Sequence, residues 1–417
     1  MKVGISIGNL TQEIGGGYTF ESEIFQSLVN FGSQGGHNFV IYSWDKEAPT
    51  EVLSSPHLEF VSLQRDIKQR LIDQLSRRAI AIQEKIKNSH AEFTIKQWQE
   101  QLLLDYLRKN GVDITWSFVH GCMSMEMPYI TTVWDLQHRL QPYFPEVSVE
   151  GEWDRREHIE CSTRLRRAAF VITGTKVGKS EIEYFYQVPR ERIKVLPFPT
   201  PQFALNHRID DEINIFQKYQ IPQQYLFYPA QFWANKNHIN LLLAIKYLLD
   251  KYGLEFPVVF VGSDHGNQTY VQEIVTELNL NKQVYFLGFV PQKDVISLYK
   301  NAFALTYMTF FGPDNLPPLE AFALGCPVIA SKVSGAEEQL EDAALLVDPK
   351  DPEHIASAIK SLWDHKELRQ TLIQRGAKRA AKWTGKDYIQ GVFSILDEFQ
   401  AIRRCWSNTK PYYRNSI

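Results

Sequence analysis

The sequence predicts an α/β protein built on two doubly wound parallel sheets, and three observations carry that prediction. Short apolar runs alternate with helix-patterned stretches along the chain, as expected of parallel strands covered by helices on both faces. The proline-rich Pro197-Phe-Pro-Thr-Pro201 and the polar stretch running on to Pro222 interrupt that alternation near the middle. The 417 residues, 44% hydrophobic and 13% aromatic, suffice for two cored domains.

Seven strands are expected before the break, near Val3–Ile7, Asn38–Ser43, Leu58–Leu63, Asp113–Phe118, Tyr129–Trp134, Phe170–Thr173 and Ile193–Leu196. Six more follow it, near Tyr225–Ala230, Pro257–Gly262, Val284–Leu287, Ala302–Thr306, Pro327–Ala330 and Ala344–Val347. The break places an interdomain linker, giving a first domain over 1–205 and a second over 206–384. One stretch departs from the alternation. Residues 64–110 read as helical throughout and carry ten Lys/Arg against six Asp/Glu. A solvated helical lid is the plain reading of that insertion, and a weakly basic face on anionic lipid is the sharper one.

Composition excludes several classes. A formal net charge of -3 provides no global field toward nucleic acid. The four cysteines are scattered without a Cys-x-x-Cys pair, which argues against a zinc site or a disulfide framework and fits a reducing compartment. The N-terminal Met1-Lys-Val-Gly-Ile-Ser-Ile alternates like a strand rather than a signal peptide, and no apolar run approaches the roughly twenty residues that span a bilayer. The expectation is a cytoplasmic protein, peripheral at the inner membrane face at most, with oligomeric state left open.

The run from Phe311 to Ser331 is the most informative. It holds a Gly-Pro turn, a helix begun by prolines, Glu320 in the first turns, a glycine stop and a short strand. Proline suits the first turn because it has no amide to lose and a helical φ. Free amides at such a helix start form a site for an anion. Glu320, beside it, has two oxygens able to accept bonds from neighbouring hydroxyls, as ribose recognition requires.

This run resembles the donor segment of glycosyltransferase family 4, whose pattern is a Glu, seven residues, a second Glu followed by Ala, and a Gly-x-Pro-Val strand entry. Leu316, Pro317, Glu320, Ala321, Gly325, Pro327 and Val328 match it. The first Glu does not. Eight residues back lies Gly312, and with Pro313-Asp-Asn counted as an insertion the position becomes Thr309. Asp314, in the same loop, is the candidate to stand in for that acid. The resemblance implies the GT-B fold: two Rossmann-like doubly wound parallel-sheet domains facing a cleft, with a C-terminal helix, here 385–417, crossing back to the first domain. It implies a retaining, metal-independent glycosyltransferase that takes a hexose or deoxyhexose from a nucleotide-diphosphate sugar. That donor is a co-substrate, so no separate cofactor or metal is expected, and the acceptor is a saccharide, lipid-linked or small-molecule hydroxyl.

Further motifs fall at strand exits, where parallel sheets bind ligands. Gly15-Gly16-Gly17 follows the first strand, and its spacing is not the dinucleotide fingerprint. In the family this loop touches the donor diphosphate. The family places an Arg and, five residues on, a Lys after the first strand of the second domain. Gln231 and Lys236 stand there, so one charge of the diphosphate clamp is replaced by a neutral amide. Phe289 and Val290 follow Gly288 where the family reads the base, and Asn315 and Leu316 lie beside the donor sugar. Asp135 and His138, in Val133-Trp-Asp-Leu-Gln-His138, are the acceptor-side candidates, with His120 second and Arg139, Arg155 and Arg156 as contacts for an anionic acceptor. A non-catalytic nucleotide-sugar binder and a GT-B epimerase or phosphorylase are the rival readings.

Overall fold

The computed structural model describes residues 1–7, 15–43, 47–63, 103–104, 106–207 and 214–406. The strands expected from the apolar runs form, and they sort into two wholly parallel sheets. The first holds β1 (Lys2–Ser6), β2 (Asn38–Ser43), β3 (Leu58–Ser62), β4 (Ile114–Ser117), β5 (Tyr129–Val133), β6 (Phe170–Thr173) and β7 (Ile193–Val195), in the order β3-β2-β1-β4-β5-β6-β7. The second holds β8 (Leu226–Pro229), β9 (Val258–Val261), β10 (Val284–Phe286), β11 (Ala304–Tyr307), β12 (Val328–Ser331) and β13 (Ala344–Val347), in the order β10-β9-β8-β11-β12-β13. Strand order reverses beside β1 in one sheet and beside β8 in the other. At such switch points the flanking crossovers leave to opposite faces and open a crevice beyond the strand ends. This is the GT-B arrangement.

Each sheet has its own core. Burial on both faces explains strands that read as continuous apolar runs, such as Val258–Val261 and Val328–Ser331. The terminal helix Gly385–Arg403 belongs to the first core, where Tyr388, Ile389, Val392, Phe393 and Leu396 pack with Phe20, Ile24 and Leu28 of the helix Gly16–Phe31. Thr384 and Asp387 form a capping box that starts it. The return to the first domain is therefore made by an amphipathic face.

The docking is close enough to demand glycine at the contact. A Cβ on Gly385 would fall on Ser27 Oγ and lie 2.5 Å from Glu23 Oε1. Gly385→Ala is expected to cost about 1–3 kcal/mol, read as a lower melting temperature, with unchanged melting counting against this packing.

The helical insertion expected over 64–110 lies largely outside the described residues, as does 208–213 of the linker. No helix among the described residues is long and apolar enough to cross a membrane.

Candidate active site

The loops beyond the two switch points face each other across a cleft of about 890 Å³. Gly15–Tyr18, Trp134, Asp135 and Arg156 border it from the first domain, and Gln231, Lys236, Phe289, Val290, Asp314–Leu316 and Glu320 from the second. Of the residues singled out in the sequence, His138 alone among the catalytic candidates is left off the wall.

Lys236 is placed by its backbone. It ends the 3₁₀ turn Ala234–Lys236, its carbonyl accepts the Tyr228 hydroxyl, and its N–H donates to Trp233 O at 3.1 Å. Asn237 follows in the left-handed region (φ 53°), its amide donating to Met308 O and Pro349 O, each at 2.8 Å. The ammonium is left beside the Tyr307 ring, 5.9 Å from its centroid. Gln231 reaches across to the first domain: its Nε2 lies 3.4 Å from where a Cβ on Gly15 would sit. Gly15 itself has φ 77°, a backbone conformation that favours glycine there.

Two helix starts meet at the cleft, and they differ. The helix Gly16–Phe31 has no side-chain cap, and the Gly16, Gly17 and Tyr18 amides carry no recorded bond among the described residues. The helix Leu316–Ala323 departs from the expectation of a cradle of free amides. Asn315 N–H donates to Gln339 Oε1 at 3.1 Å, and Pro317 and Pro318 have no amide to offer. Only the Leu316 amide remains in that turn, and its side chain is buried in the first domain's core cluster. The start of the Leu316–Ala323 helix thus offers little hydrogen-bond capacity toward an anion.

Glu320 sits one turn further on. Its Oε2 accepts the buried Tyr299 hydroxyl at 2.7 Å, so one of its two oxygens is engaged within the protein. Burial pushes its carboxyl up to about 7. Asp314 is likewise raised to about 7 by burial, against the hydrogen bond from Phe198 N–H. That bond is 2.7 Å to Oδ2, while Gln339 Nε2 donates to Oδ1, so Asp314 ties the donor loop to the first domain. As a stand-in acid for the donor sugar it is already doubly engaged. Neither alternative position supplies the acid. Gly312 has φ 135° and a Cβ there would meet Asn315 Oδ1 at 2.5 Å; Thr309 is buried with its hydroxyl on Phe311 O at 2.7 Å.

These two raised carboxyls set a pH dependence. Their folded values exceed the ordinary unfolded range near 4, so the fold binds more protons than the unfolded chain between the two. The stabilisation is fully present below about pH 4 and is lost as pH rises through about 7. Glu320→Gln is expected to flatten the fall in melting temperature between pH 5.5 and 8; an unaltered slope would contradict the assignment.

On the acceptor side, Asp135 Oδ1 accepts the Gln137 N–H at 2.9 Å and Arg156 Nη2 at 3.0 Å. Burial raises this carboxyl, but Arg156, the Gln137 amide and the charges of His120 and Lys236 outweigh it and hold it below the usual range. His138 is corrected from the expected acceptor-side role. It is 0% exposed, its Nε2 lies 3.0 Å from Tyr186 Oη and 3.2 Å from Glu157 Oε2, and burial lowers its pKa to about 4. A helical turn after the Asp135 loop points it inward, where a neutral imidazole holds the fold. His120 is also internal support: its Nε2 accepts the Trp134 N–H at 3.1 Å and fixes the loop carrying Asp135.

The sequence reading missed the element that organises this wall. Arg155–Cys161 is π-helical, a rare register often found at functional sites, and no residue pattern announces it. Arg156 reaches Asp135, Glu157 holds His138, Arg139 and Tyr186, and Glu160 faces His120. The arginines expected to meet an anionic acceptor are each ion-paired: Arg139 with Glu157, Arg155 with Glu152 and Glu160, and Arg156 with Asp135. Glu146, Gln339 and Tyr299 were also missed, since only folding brings Glu146 to the cleft wall, Gln339 against Asp314 and Asn315, and Tyr299 against Glu320. Among the described residues no group of three or more His, Cys, Asp or Glu side chains is arranged to hold a metal ion.

The two parallel sheets and the cleft lined from both define a GT-B fold. Residues 211–379 match the model of the family described as "Glycosyl transferases group 1". The chain is 26% identical over 234 residues to O-antigen chain mannosyltransferase B of Escherichia coli, a match spanning 55% of this chain and 61% of that protein. It is 23% identical over 248 residues to D-inositol 3-phosphate glycosyltransferase of Corynebacterium kroppenstedtii, spanning 56% and 54%. The matches thus span little more than half the length of these relatives. Anabaena HepE, solved with UDP and glucose, superposes with a TM-score of 0.64 over 95% of this chain and all (100%) of that one. At 15% identity this likeness speaks for the fold alone.

Proposed function

We infer that this protein is a retaining glycosyltransferase moving a hexose or deoxyhexose from a nucleotide-diphosphate sugar to a hydroxyl acceptor. The observation that carries the reading is the meeting, in one cleft, of Lys236 and Glu320 from the second domain with the glycine turn and Asp135 from the first. Lys236, Gln231 and the amides of the glycine turn bind the diphosphate. Glu320 Oε1 accepts a ribose hydroxyl while Tyr299 holds Oε2. Phe289, about half exposed on the rim, and Val290 flank the base. Asn315 and Leu316 border the sugar, with Asp314 fixing their loop.

The reaction then needs no side-chain base. The glycosidic C–O bond breaks, the leaving phosphate oxygen takes the acceptor proton, and the acceptor oxygen bonds the anomeric carbon from the same face. The protein's task is to stabilise charge growing on the diphosphate, and Asp135, held ionised by Arg156, orients the acceptor hydroxyl. Nucleotide-sugar donors of the mannosyl or glucosyl class fit the relatives' names.

Melting curves with UDP, GDP, dTDP and ADP test the donor half. One nucleotide is expected to raise the melting temperature, by about 2.7 kcal/mol of stabilisation at a hundred times its dissociation constant, and no response to any of the four would end the reading. The replacement of the clamp arginine by Gln231 and the missing first acid favour a second reading, a binder without turnover. Nucleotide affinity with no donor cleavage or transfer would establish it. Product analysis with donor alone separates an epimerase, which needs no acceptor.

A further inference from the structure

Resting on the donor reading above, we propose that the first-domain wall of the cleft takes an uncharged saccharide as acceptor and discriminates against phosphorylated ones. Charge on that wall is weighted toward carboxylates. Asp135, Glu146, Glu150 and Glu152 border the cleft from the first domain, against Arg156 as the single cation among the described residues. Arg156 is neutralised where it stands, 3.0 Å from Asp135 and 3.9 Å from Glu152. Glu152 is further paired with Arg155 at 2.6 Å, and Arg155 also meets Glu160. His120, behind the wall, faces Glu160 at 3.7 Å.

Once these pairs are counted, Glu146 and Glu150 remain without a cationic partner among the described residues. Glu146 Oε1 accepts bonds from Gln137 Nε2 and, across the cleft, from Asn235 N–H, both at 3.2 Å. Its Oε2 is buried without a hydrogen-bond partner in the structure. Lys236, opposite, is the other cation on the cleft among the described residues, and on the donor reading the diphosphate claims it. A phosphate arriving on the acceptor would meet carboxylates with no unpaired cation beside them among the described residues, and like charges brought together cost several-fold to many-fold in affinity.

Sugar hydroxyls suit the same wall. A carboxylate accepts from neighbouring hydroxyls of a sugar ring, and Tyr18, Trp134 and Phe198 also border the cleft, offering aromatic faces to its C–H bonds. The inference thus separates this chain from relatives whose names specify a phosphate-bearing polyol.

The test pairs methyl hexosides with the corresponding hexose 6-phosphates, using the donor nucleotide identified by melting and reading transfer above donor hydrolysis. The neutral acceptors are expected to show kcat/KM about tenfold or more above their phosphorylated counterparts. Glu150→Lys, which reverses one exposed charge on the wall, is expected to narrow that ratio about threefold. Equal or better use of the phosphates, or a ratio unmoved by Glu150→Lys, overturns the proposal. Nucleotide-induced stabilisation without acceleration by any neutral sugar overturns it while leaving the donor reading standing. Absence of any nucleotide response overturns the donor reading itself.

Discussion

Replacing Lys236 with alanine is expected to lower sugar transfer by about a hundredfold to a thousandfold while leaving the melting temperature nearly unchanged. The two effects separate because the residue's structural duty lies in its backbone. The carbonyl and N–H hold the turn through Tyr228 and Trp233, and alanine keeps both. The ammonium makes no ion pair recorded among the described residues, so its loss costs the free protein little. On the proposed donor reading it faces, in the transition state, a diphosphate gaining charge, with Gln231 giving only a neutral bond where a second cation would stand. The glycine-turn amides remain and set the residual rate. Steady-state transfer and a melting curve on the same preparation decide it: activity close to wild type would remove Lys236 from the diphosphate site, and a large drop in melting temperature would make its role structural.

Gly312→Glu, which writes the family's first acid back into the chain, is expected to destabilise the protein and abolish nucleotide binding rather than restore anything. A side chain at φ 135° costs about 1–3 kcal/mol. The new Cβ must also displace Asn315, whose Oδ1 would lie 2.5 Å away. Asn315 is the N-cap position of the Leu316–Ala323 helix, donating from Nδ2 to Gly312 O at 2.7 Å and from its backbone to Gln339. Moving it disturbs Gln339, then Asp314, then the seam with Phe198. Overpacking adds about 1–3 kcal/mol more. A variant that melts like the wild type and transfers sugar faster would show that this loop has the family's ordinary conformation in solution.

Some of this was open to inspection in the residues alone. The strands were legible because a parallel strand is buried on both faces, so its apolar run depends on nothing but its own composition. The position of Lys236, Glu320 and the glycine turn on the cleft was legible because strand exits of doubly wound sheets are where crevices open. The scarcity of amides before Leu319 was also written in Pro317 and Pro318, yet the reading of proline as a good helix starter concealed it.

Other features depended on partners far away in the chain. His138 and Asp135 lie three residues apart and read alike, but one is locked inside by Glu157 and Tyr186 while the other borders the cleft. The fate of the arginines, and with it the charge of the acceptor wall, rests on a π-helical turn that no spacing announces. Asp314 became a strut because Phe198, 116 residues earlier, presents an amide to it. Local composition and backbone preference thus determined the sheets and the loops that carry ligand chemistry. Tertiary packing decided which ionisable side chains stay free to use it, because a carboxylate or an imidazole takes its charge and its hydrogen bonds from whatever the fold brings alongside.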